Sequence, residues 1–122
     1  MARREWQGGF VRGAPTVDRA VDGLLRPDAG ALAVLAPMAR DVDLMIIKRA
    51  GTSKIFQRAL QEGRSQGALA GRILHGTGRI PAGRPMVVLA AVARNRKDSL
   101  LAVETMLNAL KGVADRRDAS KE

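Results

Sequence analysis

Residues 86–112 read "MVVLAAVARNRKDSLLAVETMLNALKG", and the fold turns on how they are interpreted. The first eight, 86–93, are apolar throughout and free of glycine and proline, which describes a short strand buried on both faces. Asn95 then stands as an N-cap with Asp98 three residues on, a capping-box spacing, so a helix is expected from Arg96. Leu100, Val103, Leu107 and Leu110 form its expected buried stripe, and Gly112 follows its last residue, Lys111. Cations crowd both ends: Arg94, Arg96 and Lys97 at the start, Lys111 at the finish. Those at the start lie beside the positive pole of the helix dipole, where anions are the favoured neighbours. They are either a solvated rim or the holders of an anion that the helix N-terminus also attracts.

Upstream, "TVDRAVDGLLRPDAG" (16–30) reads as a short helix capped by Thr16. Val17, Ala20, Val21, Leu24 and Leu25 share one face, and Pro27 and Gly30 end it. "ALAVLA" (31–36) is a buried strand closed by Pro37, and "DLMIIKR" (43–49) a second strand. "TSKIFQRALQEG" (52–63) is a helix capped by Thr52 or Ser53, facing inward through Ile55, Phe56, Ala59 and Leu60 and stopped by Gly63. "ALAGRILH" (68–75) is a strand with His75 at its end. "GTGRIPAGRP" (76–85) reads as a loop or hairpin connection, its glycines serving the turn; no helix follows directly, so it is not a phosphate loop. Residues 1–14 are expected to be a flexible N-terminal segment, 15–112 a single domain, and 113–122 a charged tail that frays. Helix, two strands, helix, two strands, helix implies an α+β fold with a mixed or antiparallel sheet and packed helices.

Composition bounds the chemistry. The 122 residues hold 46% apolar residues, enough for one core. With 21 Lys and Arg against 12 Asp and Glu the formal charge is +9, so an anionic partner is expected. Only Trp6, Phe10 and Phe56 are aromatic, which offers single-stranded nucleic acid almost no stacking surface, and a basic nucleic-acid-binding protein is the lesser reading. There is no cysteine and a single histidine, so thiolate chemistry and multi-histidine metal sites are excluded, and neither metal nor cofactor is expected. "MARREWQGGF" has no apolar stretch after its arginines and is not a signal peptide. The apolar runs at 29–39 and 86–93 are too short to span a bilayer, so no membrane is expected and the cytoplasm is the default location.

The stretch "ILHGTGRIPAGRPMVVLAAVARNRKDSLLAVETMLNALK" resembles the large, catalytic subunit of molybdopterin synthase. That family shows a His-Arg-x-Gly segment, a glycine four or five residues on, an apolar strand, a His-Arg pair and a helix ending in Leu-Lys. The counterparts here are His75 and Gly78, Gly83, the strand 86–93, Asn95-Arg96 and Leu110-Lys111. Upstream, "DAGALAVLAPMARD" resembles the family's Gly-Ala-strand-x-x-Arg segment and places Arg40 at its arginine. The resemblance implies an α/β-hammerhead type of fold and a homodimer. It also implies a small ubiquitin-like sulfur-carrier subunit whose C-terminal Gly-Gly thiocarboxylate delivers sulfur to a cyclic pyranopterin monophosphate. Lys111 would be the catalytic lysine, Arg40 and Arg96 the anion binders, and Asn95 a polar positioner, with Arg96 of one chain completing the pocket of the other.

The residue types suit that chemistry. Arginine forks bind phosphate oxygens bidentately, and a lysine at the reacting centre offsets developing negative charge. Arg96 and Lys111, fifteen positions apart on one helix, would stand roughly 22 Å apart and reach one ligand only across two chains. The pattern also departs from the family. Asn95 replaces the histidine before the arginine, Ile47 and Arg49 stand where the family has Glu and Tyr, and the Pro-x-Trp-Lys-Lys-Glu ending is missing. Asp118 stands where the second functional lysine aligns, leaving Lys121 as its substitute if the tail folds back. These departures imply an altered sulfurtransferase, or a dimeric relative that keeps an anion pocket without the reaction. Each residue also has a structural reading: Lys111 suits a helix C-terminus, Asn95 a cap, Leu107 the core, and Arg40 and Arg96 a solvated surface.

Overall fold

The structure, a computed structural model, describes residues 5–119. The elements in chain order are β1 (Trp6–Arg12), α1 (Val17–Val21), β2 (Ala31–Leu35), β3 (Leu44–Arg49), α2 (Lys54–Ser65), β4 (Ala68–Pro81), β5 (Val87–Ala93), α3 (Arg96–Asn108) and β6 (Ala114–Asp118). The strands run β2-β5-β4-β3-β6 across the sheet, with β1 beside β4. β1 pairs parallel with β4 and the other pairings are antiparallel, so the sheet is mixed as expected.

β5 explains the unbroken apolar run. All seven of its residues are buried, because both faces of the sheet are covered there. On one face Ile73, Leu89 and Ala91 pack with Phe56 and Ala59 of α2 and Ala102, Val103 and Met106 of α3. On the other, Val88, Ala90 and Val92 meet Ala20 and Leu24. Each fully buried Val or Leu contributes about 1.5–3 kcal/mol to folding. Thr16 caps α1 through the Arg19 N–H at 3.3 Å, as the sequence predicts. β2 departs from its expected burial: only Ala33 is fully buried, while Leu32 and Val34 stay about 40% exposed on a sheet edge with no strand beyond it among the described residues.

Four corrections concern the path of the chain. Residues 6–12 are not loose: β1 lies parallel to β4 from Trp6 opposite Gly71 to Arg12 opposite Thr77, a long-range pairing with no local signature. Residues 76–81 are not a loop but the second half of β4, which pairs with β5 up to His75 and with β3 from Gly78. The strand changes partners at Gly76, where an added Cβ would stand 2.6 Å from the Gly13 carbonyl oxygen and 3.1 Å from that of Met86. Gly63 does not stop α2; it lies inside the helix, where an added Cβ would fall 2.7 Å from Met106 Cγ, so it admits α3. The chain leaves α2 at Gly67, whose φ of +99° suits glycine.

The fourth correction is the tail. Val113 accepts from the amides of Ala50 and Gly51 at 3.0 Å each, and β6 then runs antiparallel to β3, from Ala114 opposite Arg49 to Asp118 opposite Met45. Backbone hydrogen bonds order this segment, and its charged side chains guard an outer edge. α3 is also rotated from its expected phase. Ser99, Ala102, Val103 and Met106 are buried, whereas Leu100 is 55% exposed, because the small residues permit close approach to the sheet and α2. The helix ends at Asn108 with Ala109 as C-cap, so Leu110 and Lys111 belong to the turn that follows.

Replacing Gly76 by alanine is expected to lower unfolding free energy by about 1–3 kcal/mol, the usual cost of overpacking where backbone must move. Gly9→Ala, which meets nothing within 4 Å, should stay within about 0.5 kcal/mol of the parent. Urea denaturation of the two variants tests this, and equal midpoints would refute the strand crossing drawn at Gly76.

Candidate functional site

The turn after α3, the bend of β4 and the strand β6 enclose a cavity of about 530 Å³. Leu107 and Asn108 line it from the end of α3, Lys111 from the turn beyond, Val87 from β5, and His75 and Arg116 from β4 and β6, with Pro37 completing the wall. Lys111 and Arg116 are exposed, and His75 is only 1% exposed.

His75 is the residue the sequence reading undervalues. It sits not at a strand end but midway along β4, immediately before the change of partner. Its Nδ1 lies 2.8 Å from the Gly76 carbonyl oxygen, which can only accept, so Nδ1 carries the proton and Nε2 is left as an acceptor. Phe10 packs edge-on against the ring, with centroids 5.6 Å apart. Burial pushes the imidazole below its usual 6.5; the Gly76 bond opposes this, and the Arg116 charge pushes it down further. Near neutral pH the wall is therefore an uncharged acceptor between two cations.

The four residues singled out from the sequence fall in three places. Lys111 lines the cavity. Arg40 does not: it lines a neighbouring depression of about 670 Å³ with Met38, Met45, Gly83 and Met86. Its side chain is 89% exposed, and Nε lies 3.4 Å from Asp41 Oδ2. Successive positions line the two hollows, Pro37 and Val87 the first and Met38 and Met86 the second, and the Met86 amide donates to the Pro37 carbonyl at 2.8 Å. Asn95 is the α3 cap: its Oδ1 accepts from the Asp98 amide at 2.9 Å, and its Nδ2 donates to Asp98 Oδ2 at 3.1 Å. Arg96 opens the helix, exposed, at the end away from Lys111. At 1.5 Å per residue the thirteen-residue helix spans roughly 20 Å, so one chain does not bring Arg96 and Lys111 to one small ligand. Lys121 lies outside the described residues.

Another cation, Arg72, is 6% exposed and its Nη1 donates to carbonyls of Arg19, Ala20 and Asp22 around the end of α1. That is a structural clasp directed at α1, and Arg72 does not line the cavity. Leu107, read as core, lines the cavity while also packing against the main core. Arg116 was hidden by its setting in a charged tail, where no apolar alternation marks a strand.

Residues 14–113 match the model of the MoaE protein family. Among solved structures, molybdopterin synthase from Staphylococcus aureus is 17% identical over 88% of this chain and 85% of its own, with a TM-score of 0.72. The molybdopterin biosynthesis MoaE protein from Burkholderia ambifaria is 21% identical over 91% and 85%, also with a TM-score of 0.72. A complex of subunits 1 and 2 of molybdopterin-converting factor from Helicobacter pylori gives 14% identity over 91% and 83%, with a TM-score of 0.68. No curated protein matches the chain significantly in sequence.

The depressed pKa of His75 makes stability pH-dependent with a definite sign. The unfolded imidazole takes a proton near 6.5 and the folded one only at lower pH, so unfolding takes up a proton between those values. Stability is unaffected above pH 6.5 and falls as pH drops from 6.5 through the folded pKa. Urea midpoints measured down this range should fall for the parent and lose that component in His75→Gln. An identical pH profile in both would overturn the assignment.

Proposed function

The chain belongs to the MoaE family, that of the molybdopterin synthase large subunit in molybdenum cofactor biosynthesis, and from this premise we propose that the Lys111 cavity is its sulfur-transfer site. In this reading a small partner inserts a C-terminal Gly-Gly thiocarboxylate beside a cyclic pyranopterin monophosphate; its sulfur bonds to a pterin side-chain carbon in place of an oxygen, and water then cleaves the acyl C–S bond, releasing the tail as a carboxylate. One observation carries it: the lysine that the family resemblance aligns lines the cavity beside a buried neutral histidine and an arginine. Two anions that must meet repel each other, and cations fixed around the meeting point offset that repulsion. Lys111 neutralises charge that develops as the sulfur moves. Arg40, in the second hollow, binds an anionic part of the ligand at the entrance.

A relative solved as a complex of two subunits supports a small-subunit partner here. A homodimer is supported by two features of this chain. Arg96 and Lys111 stand at opposite ends of α3, so Arg96 serves a cavity only in a second copy. The β2 edge leaves Leu32 and Val34 uncovered, a surface that a second chain would bury. Asn95, with its carbonyl and one N–H engaged at the cap, positions the helix start that carries Arg96. Among the described residues no helix is long and apolar enough to cross a membrane, and we place the activity in the cytoplasm.

Reconstitution with a thiocarboxylated small subunit and the pterin precursor tests the reading. Lys111→Ala is expected to lower dithiolene formation about 10²–10³-fold, the loss seen when one transition-state donor is removed. Product formation by Lys111→Ala at the parent's rate would overturn the role of Lys111, and partner-tail binding with no product from the parent would leave a non-catalytic anion-binding relative instead.

The shared site makes a separate prediction. Lys111→Ala and Arg96→Ala chains, each inactive alone, should recover activity when refolded together, because a mixed dimer contains one intact site. No recovery despite confirmed mixed dimers would refute the cross-chain role of Arg96.

A further inference from the structure

We infer that Arg116 is the second anion-binding residue of the Lys111 cavity, its guanidinium and the Lys111 ammonium holding one carboxylate- or phosphate-type oxyanion beside His75. The inference rests on reading the cavity as an oxyanion site and assigns a residue that neither the composition nor the family pattern marks.

Three observations carry it. The first is register. β6 pairs Arg116 with Ile47 and Asp115 with Lys48, and successive strand residues point to opposite faces. Arg116 lines the cavity and Arg117 does not. Asp115, the acidic residue in the lining, has its side chain on the face opposite Arg116, across from Lys48. The second is availability. Among the described residues, neither Lys111 nor Arg116 forms an ion pair with a carboxylate. Among the described residues, then, neither cation is held by a carboxylate partner. The third is the aligned position itself: Asp118, where the resemblance aligns the family's second lysine, has the wrong sign for an anion.

The chemistry follows from the pair. A guanidinium presents two parallel N–H donors that match two oxygens of a carboxylate or phosphate, while an ammonium supplies a compact charge to a third direction. His75 is the neutral neighbour, and its pKa is already lowered by the charge of Arg116. An oxyanion seated on Arg116 would cancel part of that charge and make the imidazole easier to protonate. Since His75 is the sole histidine, its ring resonances report this without ambiguity.

The experiment titrates the full 122-residue chain with inorganic phosphate and, separately, with a synthetic peptide ending in Gly-Gly carboxylate, following the His75 ring by NMR. The parent is expected to bind at least one probe with a rise in the His75 pKa. Arg116→Ala should bind that probe about tenfold or more weakly, the loss typical of a removed charge-assisted hydrogen bond, and the remaining shift should vanish. Arg116→Lys should fall between, keeping charge without the fork. The unliganded His75 pKa should rise in Arg116→Ala while its amide spectrum stays folded, a change that a merely structural residue would not produce. Whichever probe binds identifies the source of the oxyanion, phosphate for a substrate phosphate and peptide for a partner's carboxyl end. Equal affinity in parent and Arg116→Ala overturns the role of Arg116 while the oxyanion reading stands. Failure of the parent to bind either probe removes the oxyanion reading itself and this inference with it.

Discussion

The antiparallel pairing of β6 with β3 is the constraint on which the site depends. Without it, the turn after α3 would leave Lys111 on an open surface, and Arg116 would have no fixed position relative to His75. The pairing is made by main-chain groups, and the side chains of Asp115, Arg116 and Arg117 remain exposed. A segment with almost no apolar contribution is thus held by the edge of a sheet that is anchored elsewhere. Its anchorage begins at Val113, buried and bonded to the amides of Ala50 and Gly51. From there the charged residues serve two ends: they keep the outer edge from pairing with other chains, and one of them faces the cavity.

The opposite wall depends on a different device. β4 serves two sets of partners, and Gly76 lets the strand pass between the Gly13 and Met86 carbonyls at the crossing. His75 immediately precedes that crossing; its ring is buried, with Phe10 packed edge-on against it, and its Nδ1 proton goes to the neighbouring carbonyl. Burial and a nearby cation both favour the uncharged ring. The arrangement keeps positive charge on the two long flexible side chains and off the rigid wall. That suits the anion-handling role proposed for the cavity.

Much of the fold was legible because its strongest determinants are local. The run Val87–Ala93 has the signature of a doubly covered strand, and Thr16 and Asn95 cap helices where their spacing says they should. The failures share one physical cause, a partner distant in sequence. β1 and β6 have no apolar alternation and exist because β4 and β3 offer them an edge. Gly63 and Gly76 read as punctuation, yet they are places where another element comes too close for a Cβ. The phase of α3 differs from the hydrophobic pattern because small size selects part of its inner face: Ser99 and Ala102 are buried where Leu100 is not. Of the candidate site, Lys111 is named by the family pattern, and in the structure it lines the cavity. Arg116 and His75 became candidates only when β6 and the second half of β4 were seen to meet.

Amide hydrogen exchange across residues 114–118 in the ligand-free protein probes the β3–β6 pairing with least interpretation. If the strand is integral, its amides exchange far more slowly than in an unfolded chain, alongside those of β3. Exchange at the unfolded-chain rate throughout 114–118, with β4 and β5 still protected, would show the tail detached and the cavity without its second wall.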